Sequence, residues 1–141
     1  MIRKLILSDY YYGYLHLLKQ LSIINDNLLY NNFKKKWFEI ANNKFHHILV
    51  IELDKKIVAS GTLIIEPKFI RNSQYAGHID DIVVSNDYRG NGLARQIITN
   101  LLEIAKQYNC YRIILTCHES KFGLYSKFGF EKKSNSMRID F

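Results

Sequence analysis

The sequence predicts an α+β fold: a mixed, mostly antiparallel central sheet with one parallel pair of strands and flanking helices. Three observations predict it. Strand-type apolar runs follow one another at His47 to Leu53, Ile57 to Ile65 and Gly77 to Val84, a strongly amphipathic stretch comes next, and a last buried run, Tyr111 to Cys117, closes the series. Runs joined by short polar turns make an antiparallel meander, whereas a strand, a helix and a strand in succession place the two strands parallel.

Taken in order, residues 2 to 7 read as a short strand, and Asp9 is placed to cap a helix with Tyr10, Tyr14, Leu17, Leu18 and Leu21 on one face. A second helix is expected from about Asp26 to Ala41. Asp54-Lys55-Lys56 makes the turn of a hairpin, and Pro67 falls at the end of the second run, where a missing N–H does least harm. The polar connection Arg71-Asn72-Ser73-Gln74 leads into the third run.

After Ser85-Asn86-Asp87, residues Leu93, Ala94, Ile97, Ile98, Leu101, Leu102, Ile104 and Ala105 recur at helical spacing, with Arg95, Gln96, Asn100, Glu103 and Lys106 on the other face. Tyr111 to Cys117 then reads as a buried strand. Phe122 to Lys127 is expected as a short helix and Gly129 as its left-handed stop. Phe130 to Lys133 and Met137 to Phe141 complete the pattern as a last hairpin around Ser134-Asn135-Ser136.

A chain of 141 residues with 48% hydrophobic content and a single proline is expected to fold as one domain over residues 1–141. No apolar run reaches the roughly 18 residues of a membrane span, and residues 1 to 7 are too brief for a signal peptide, so no membrane contact is expected. Cys110 and Cys117 would stand roughly 23 Å apart on one strand, too far to bridge. Two free thiols suit a reducing compartment, most simply the cytoplasm.

Twenty basic against 13 acidic residues leave a net charge of +7, which favours anionic partners. Lys34-Lys35-Lys36 is the densest basic run, but it lies on a helical pattern formed by Leu29, Phe33, Trp37 and Ile40 and reads as a solvated face. No aromatic interleaving of the kind that stacks RNA bases accompanies it, so no nucleic-acid partner is expected, and a nucleic-acid-binding module stands only as a rival suggested by charge.

Arg89-Gly90-Asn91-Gly92-Leu93-Ala94 joins a strand to the amino end of the best helix. Unpaired N–H groups and the positive end of the helix dipole converge there, and the glycines let backbone approach phosphate oxygens, so a pyrophosphate fits. The short Gly-x-Gly by itself is equally a tight turn. A Walker loop needs Gly-Lys-Ser/Thr and a dinucleotide fingerprint a third glycine, and neither is present.

Arg-x-x-Gly-x-Ala after a strand and opening a helix resembles the acetyl-CoA signature of the GNAT superfamily, whose order of elements is also the one read above. The segments 63–70, 77–84, 88–93, 109–113 and 125–130 further resemble the eukaryotic glucosamine-6-phosphate N-acetyltransferases, while the first 45 residues match loosely. The resemblance implies a sheet whose parallel pair splays at the cofactor, and transfer of an acetyl group from acetyl-CoA to the amine of an amino sugar phosphate in a ternary complex. It implies a homodimer whose partner completes the sugar site.

By the same resemblance Tyr125 is the acid beside the coenzyme sulfur, although ten tyrosines make packing a standing alternative for any one of them. Asp81, Ile82, Val83, Arg89, Gly90, Asn91, Gly92, Leu93, Ala94, Leu124, Tyr125 and Ser126 would hold the cofactor. Lys68, Phe69, Ile70, Ile79, Asp80 and Asp81 would border the sugar phosphate, with Asp80 and Asp81 also counted as catalytic and Arg71 joining Lys68 on the phosphate. Adjacent strand residues face opposite ways, so the two aspartates act together only if a bulge turns one of them.

Two positions depart from the relatives' pattern. Thr116 stands where they carry an acidic residue that orients or deprotonates the amine, and Asp80 or a chain of waters is the expected substitute. Ile139 stands where they carry an arginine, with Arg138 one place earlier and on the other face. These departures keep open a GNAT enzyme for another amine, such as a polyamine or a protein N-terminus. Cys117-His118 diverge along a strand, His46-His47 lack ligand spacing, and His16 and His78 read as structural, so no metal is expected.

Overall fold

Strands β1 (Ile2–Lys4), β2 (His46–Leu53), β3 (Lys56–Pro67), β4 (Tyr75–Val84) and β5 (Cys110–Leu115) form one sheet in the order β1-β2-β3-β4-β5. The computed structural model describes residues 1–25 and 29–141. Neighbours run antiparallel except β4 and β5, which are parallel because helix α4 (Leu93–Gln107) carries the chain back between them. Asp54 and Lys55 turn the β2–β3 hairpin with φ of 48° and 59°, so Leu53 faces Lys56.

Each face of the sheet has its own core. Leu93, Ile97, Leu101 and Ala105 of α4 pack on Leu49, Ile51, Leu63, Ile65 and Ile79. On the other face, helices α1 (Tyr14–Leu18) and α2 (Tyr30–Ala41) lay Tyr14, Leu17 and Phe33 over Ile48, Val50, Ile57 and Val83. Full burial of side chains such as Ile97 and Leu101 is worth roughly 1.5–3 kcal/mol each. Gly61 sets how closely α4 can approach: a Cβ there would run into Ile97 Cγ2 and Ile82 Cδ1.

The first expected helix is instead a 3₁₀ turn, Leu7–Tyr10, and the short α1, separated by Gly13 at φ 84°. Asp9 lies inside that turn and does not cap α1, whose N-cap is Gly13. Asp9 is fully buried, accepts the Ile6 N–H at 2.9 Å, and takes both Nη groups of Arg3 at 2.7 and 2.8 Å, while Arg3 also reaches Glu52 at 2.6 Å. The start expected for the second helix, Asp26, lies outside the described residues. Strand β5 ends at Leu115, so Thr116 and Cys117 lie beyond it and the two free cysteines do not share a strand.

No strand forms in residues 131–141, where a last hairpin was expected. A two-stranded hairpin without a sheet to lie on is marginal, and this one finds none within the chain. The polar connection between β3 and β4 holds the one-turn element α3 (Ile70–Ser73), in which Arg71, Asn72 and Ser73 all have positive φ (55°, 59° and 59°). Left-handed backbone costs non-glycine residues roughly 1–2 kcal/mol each, so this loop holds its shape against strain.

Two outcomes follow. Gly61→Ala lowers stability by about 1–3 kcal/mol through overpacking, read from denaturant unfolding. His47 is nine-tenths buried with its ring edge-on to Tyr108 at 5.5 Å and no partner for Nε2, and burial pushes its pKa down. As pH falls below about 6.5 the unfolded chain takes up a proton that folded His47 refuses, so stability drops until the pH passes the depressed folded pKa. A urea midpoint that falls between pH 7 and 5.5, and falls less in His47→Phe, is the expected result.

Candidate active site

The site begins where β4 and β5 part. Their last register pair is Ile79 with Leu115, yet β4 runs on to Val84, so residues 80–84 keep β3 on one side and, among the described residues, no strand on the other. The β3–β4 register slips at the same place: Thr62 faces Asp80 and Ser60 faces Val83, leaving two residues of β4 opposite Gly61. This is a bulge, and Asp81 adopts φ 53° within it.

The bulge lets neighbouring carboxylates share one environment. Loss of water around Asp81, and after that the charge of Asp80, push its carboxyl above the ordinary range even though the side chain keeps contact with solvent. Tyr14 and His46 both feel the Asp81 charge. Burial pushes the Tyr14 phenol up to about 12, and its side chain bonds to Ser60, which donates to the Leu49 carbonyl at 3.1 Å. Helix α1 is thereby tied to the strand that faces the bulge.

Beyond β4, the turn Asn86–Tyr88 leads into the glycine loop. Gln20 of the segment after α1 accepts the Asn86 N–H at 3.2 Å, and the Asn91 amide donates to the Tyr88 carbonyl at 3.1 Å. Arg89 Nε donates to the Val84 carbonyl at 3.4 Å, which anchors that cation to the end of β4. Gly90 and Gly92 take φ 80° and 73°, and a Cβ at either would meet no protein atom within 4 Å. Dihedral angle, not crowding, demands glycine there, and the open space lies over the backbone.

The first helical bond of α4 runs from Gln96 N–H to the Gly92 carbonyl at 3.1 Å, so the amides of Leu93, Ala94 and Arg95 have no helical acceptor. Among the described residues, those of Gly90, Asn91 and Gly92 donate to no backbone carbonyl either. A run of free N–H groups at the positive end of a 15-residue helix, flanked by Arg89, fits a diphosphate.

Tyr125 lies on α5 (Phe122–Ser126), 9% exposed, with its ring edge-on to Phe130 at 5.9 Å. Burial first, and then the neighbouring Cys117, push its pKa up, so the hydroxyl keeps its proton at neutral pH. Leu124 is half-buried beside it, and Ser126 Oγ donates to the Gly123 carbonyl at 3.3 Å.

The residues expected at the sugar are less uniform. Lys68 Nζ is paired with Glu66 at 2.9 Å, and the other Glu66 oxygen holds His78 Nε2 at 2.7 Å. Phe69 and Ile70 stand out from the surface at 98% and 58% exposure. Ile79 is 2% exposed in the α4-side core, so only its main chain is open to a substrate. Thr116 is exposed past the end of β5, and Arg138 pairs with Asp140 at 2.8 Å in the exposed tail. His78, expected from the sequence as structural, is held by that Glu66 pair two residues before Asp80 on β4.

The sequence matches the family model described as Acetyltransferase (GNAT) family over residues 2–130. The chain belongs to that family. Its acetyl donor is therefore acetyl-CoA, and the loop of residues 89 to 94 has the free amides that its diphosphate needs. Among curated relatives it is 39% identical over 140 residues to glucosamine 6-phosphate N-acetyltransferase 1 of Dictyostelium discoideum, covering 97% of this chain and 88% of that one. The Arabidopsis thaliana glucosamine 6-phosphate N-acetyltransferase is 35% identical over 139 residues, covering 96% and 93%. The crystal structure of the glucosamine-6-phosphate N-acetyltransferase from Arabidopsis thaliana superposes with a TM-score of 0.96 at 37% identity, over 100% of this chain and 97% of that one.

Two substitutions test this GNAT site. Gly90→Ala forces a side chain to a positive φ at the phosphate cradle and weakens coenzyme A binding roughly tenfold by calorimetry. Asp81→Asn removes a carboxylate whose pKa is raised by folding; such a group favours the folded state at low pH and opposes it as pH rises through the folded pKa. The variant therefore melts higher than the parent at pH 7, and the gain shrinks as pH falls toward 4.

Proposed function

We propose that this enzyme, one N-acetyltransferase domain over residues 1–141, moves the acetyl group of acetyl-CoA to the 2-amino group of D-glucosamine 6-phosphate, giving N-acetyl-D-glucosamine 6-phosphate for UDP-N-acetylglucosamine synthesis. The observation that carries this reading is the splay of β4 from β5 after Ile79, with a pair of aspartates at the bulge of β4 and the amide-rich loop following that strand. Relatives that share more than a third of the residues over nearly the full chain bear the name of that activity.

The thioester supplies an activated acetyl group, and the chain's residues do the rest. The main-chain amide of Ile82, at the bulge where β4 has left β5, takes the acetyl carbonyl, whose oxygen gains charge as the amine attacks. Asp80 and Asp81 draw the amine toward that carbon, and Asp81, with its raised pKa, takes the proton that the attacking nitrogen loses. Thr116 cannot act as a base, so that role rests on the bulge. As the carbon–sulfur bond breaks, the Tyr125 hydroxyl protonates the departing sulfur.

The protein works as a homodimer in the cytoplasm, where Cys110 and Cys117 stay as thiols. Two features support a second copy as the missing cover. Strand β5 is an edge of the sheet with Ile114 exposed, and Met137, Ile139 and Phe141, alternating along the tail, are 97%, 76% and fully exposed. A tail with strand periodicity and an open sheet edge complete each other across two chains.

Thiol release from acetyl-CoA against a panel of glucosamine 6-phosphate, glucosamine, a polyamine and an N-terminal peptide tests the reading: the sugar phosphate gives the highest kcat/KM. A higher value for the polyamine or peptide transfers the assignment to that amine. Tyr125→Phe lowers kcat by about 10²–10⁴ while leaving the KM for acetyl-CoA within a few-fold. Light scattering of the whole protein reads a mass of two chains.

A further inference from the structure

Acetyl transfer to an ammonium group sends a proton to water. The nitrogen sheds two protons on becoming an amide, the departing sulfur takes one, and the other has to reach solvent. In the reaction proposed above Tyr125 serves the sulfur and Asp81 the nitrogen. Asp81 touches water in the free protein. Once an acceptor lies over the bulge and a thioester fills the gap beside it, that water is displaced, and the proton on Asp81 needs a neighbour to take it.

His46 is that neighbour by position. It opens β2 and is in register with Ile64 of β3, which is in register with His78 of β4. The next row on the same face is Ile48, Thr62 and Asp80. Ile48 belongs to the core under α1 and α2, so His46 stands on that side of the sheet, while His47 points the other way, edge-on to Tyr108. Regular alternation would carry the residue after Asp80 away from this face. The bulge and the φ of 53° at Asp81 break the alternation, and the two groups that feel its charge, Tyr14 and His46, both belong to this face. Strands β2 and β4 flank β3, two strand spacings or roughly 10 Å apart between main chains. Side chains leaning over β3 from both sides narrow that gap to the span of a bridging water, and Gly61, opposite the bulge, puts no side chain in the way.

The chemistry of the two groups suits transfer. Partial burial lowers the His46 pKa and the Asp81 charge opposes that, so at neutral pH the imidazole is uncharged and offers a lone pair. Loss of water, and then the Asp80 charge, push Asp81 upward. The shifts narrow the gap in proton affinity, so His46 can take the proton and give it up to water with neither step steep. Among the described residues His46 has no ion pair, whereas His78 in the same row is held at Nε2 by Glu66 at 2.7 Å. The other titratable or charged groups around it are Asp80 and His78 from β4, Tyr14 from α1, its neighbour His47, and Lys44, whose ammonium rests 4.9 Å over the Phe45 ring.

We infer that His46 is the outlet for the proton released in acetyl transfer: Asp81 takes it from the attacking nitrogen, a water passes it to the His46 imidazole, and the half-buried ring returns it to solvent. Only N–H and O–H bonds form and break along this path, so no oxidant or reductant is needed. The inference deepens the reaction proposed above and holds for whichever amine the enzyme accepts.

His46→Ala is assayed with acetyl-CoA and the amine of highest kcat/KM, and thermal melting verifies that it is folded. Its kcat falls about tenfold, less than the ~10² expected of a group that touches the reacting atoms, and both KM values stay within a few-fold. Free imidazole restores kcat in His46→Ala in proportion to its concentration and does nothing for Asp81→Asn. Should the alanine variant melt early, His46→Gln gives the same loss of kcat in a side chain that fills more of the space. An unchanged kcat, a loss that imidazole leaves in place, or a change confined to KM overturns the inference. NMR titration of the His46 ring decides it apart from turnover: Asp81→Asn removes an anion that favours the imidazolium, so the His46 pKa falls. Equal values in parent and variant overturn the outlet. Acetylation of no amine by the parent sinks the proposed function alone, and the ring titration still judges His46.

Discussion

Everything at this site depends on β4 leaving β5 after Ile79 while remaining bonded to β3. A strand paired on both sides has its amides committed, whereas residues 80–84 have one side open, and that side faces the gap where a thioester can enter. The parting is held by packing. On one face α4 presses Ile97 and Leu101 down to Gly61, and on the other Tyr14 and Leu17 close over Val83 and its neighbours. Neither layer can shift without losing several fully buried side chains, so the open amides are kept by the two cores.

The bulge turns the same constraint into chemistry. A regular strand would send Asp80 and Asp81 to opposite faces, and their charges would be nearly independent. With two residues set against Gly61 and Asp81 in the left-handed region, the carboxylates feel one another and Asp81 retains its proton more strongly. Asp81 is also felt by Tyr14 from α1 and by His46 from β2, so elements remote in sequence adjust one titrating group. The cost is a non-glycine residue at positive φ and two like charges in proximity.

Much of this was legible beforehand. Helix α4, the meander, the parallel return to β5 and the glycine loop that opens α4 follow from period, turn residues and order, because those features are local and repeat. Gly129 at φ 91° ends α5 as its type predicts. The reading weakened where distant groups decide: the first expected helix is interrupted at Gly13 while Asp9 is drawn into a cluster with Arg3 and Glu52, and the tail from 131 to 141 had strand periodicity but joins no strand among the described residues.

The sequence by itself determined the class of fold, the family and the position of the glycine loop before α4, since each is written in contiguous residues whose backbone preferences act over one turn of chain. Only the tertiary structure decided that Asp80 and Asp81 meet at a bulge, that Lys68 is matched by Glu66, that Ile79 is closed off in the core, and that Arg71 and Arg112 meet over Tyr111. Those outcomes come from register slips and from side chains that approach across strands and loops. A pairwise distance between residues far apart in the chain is set by the packing of the whole sheet, and no local pattern encodes it.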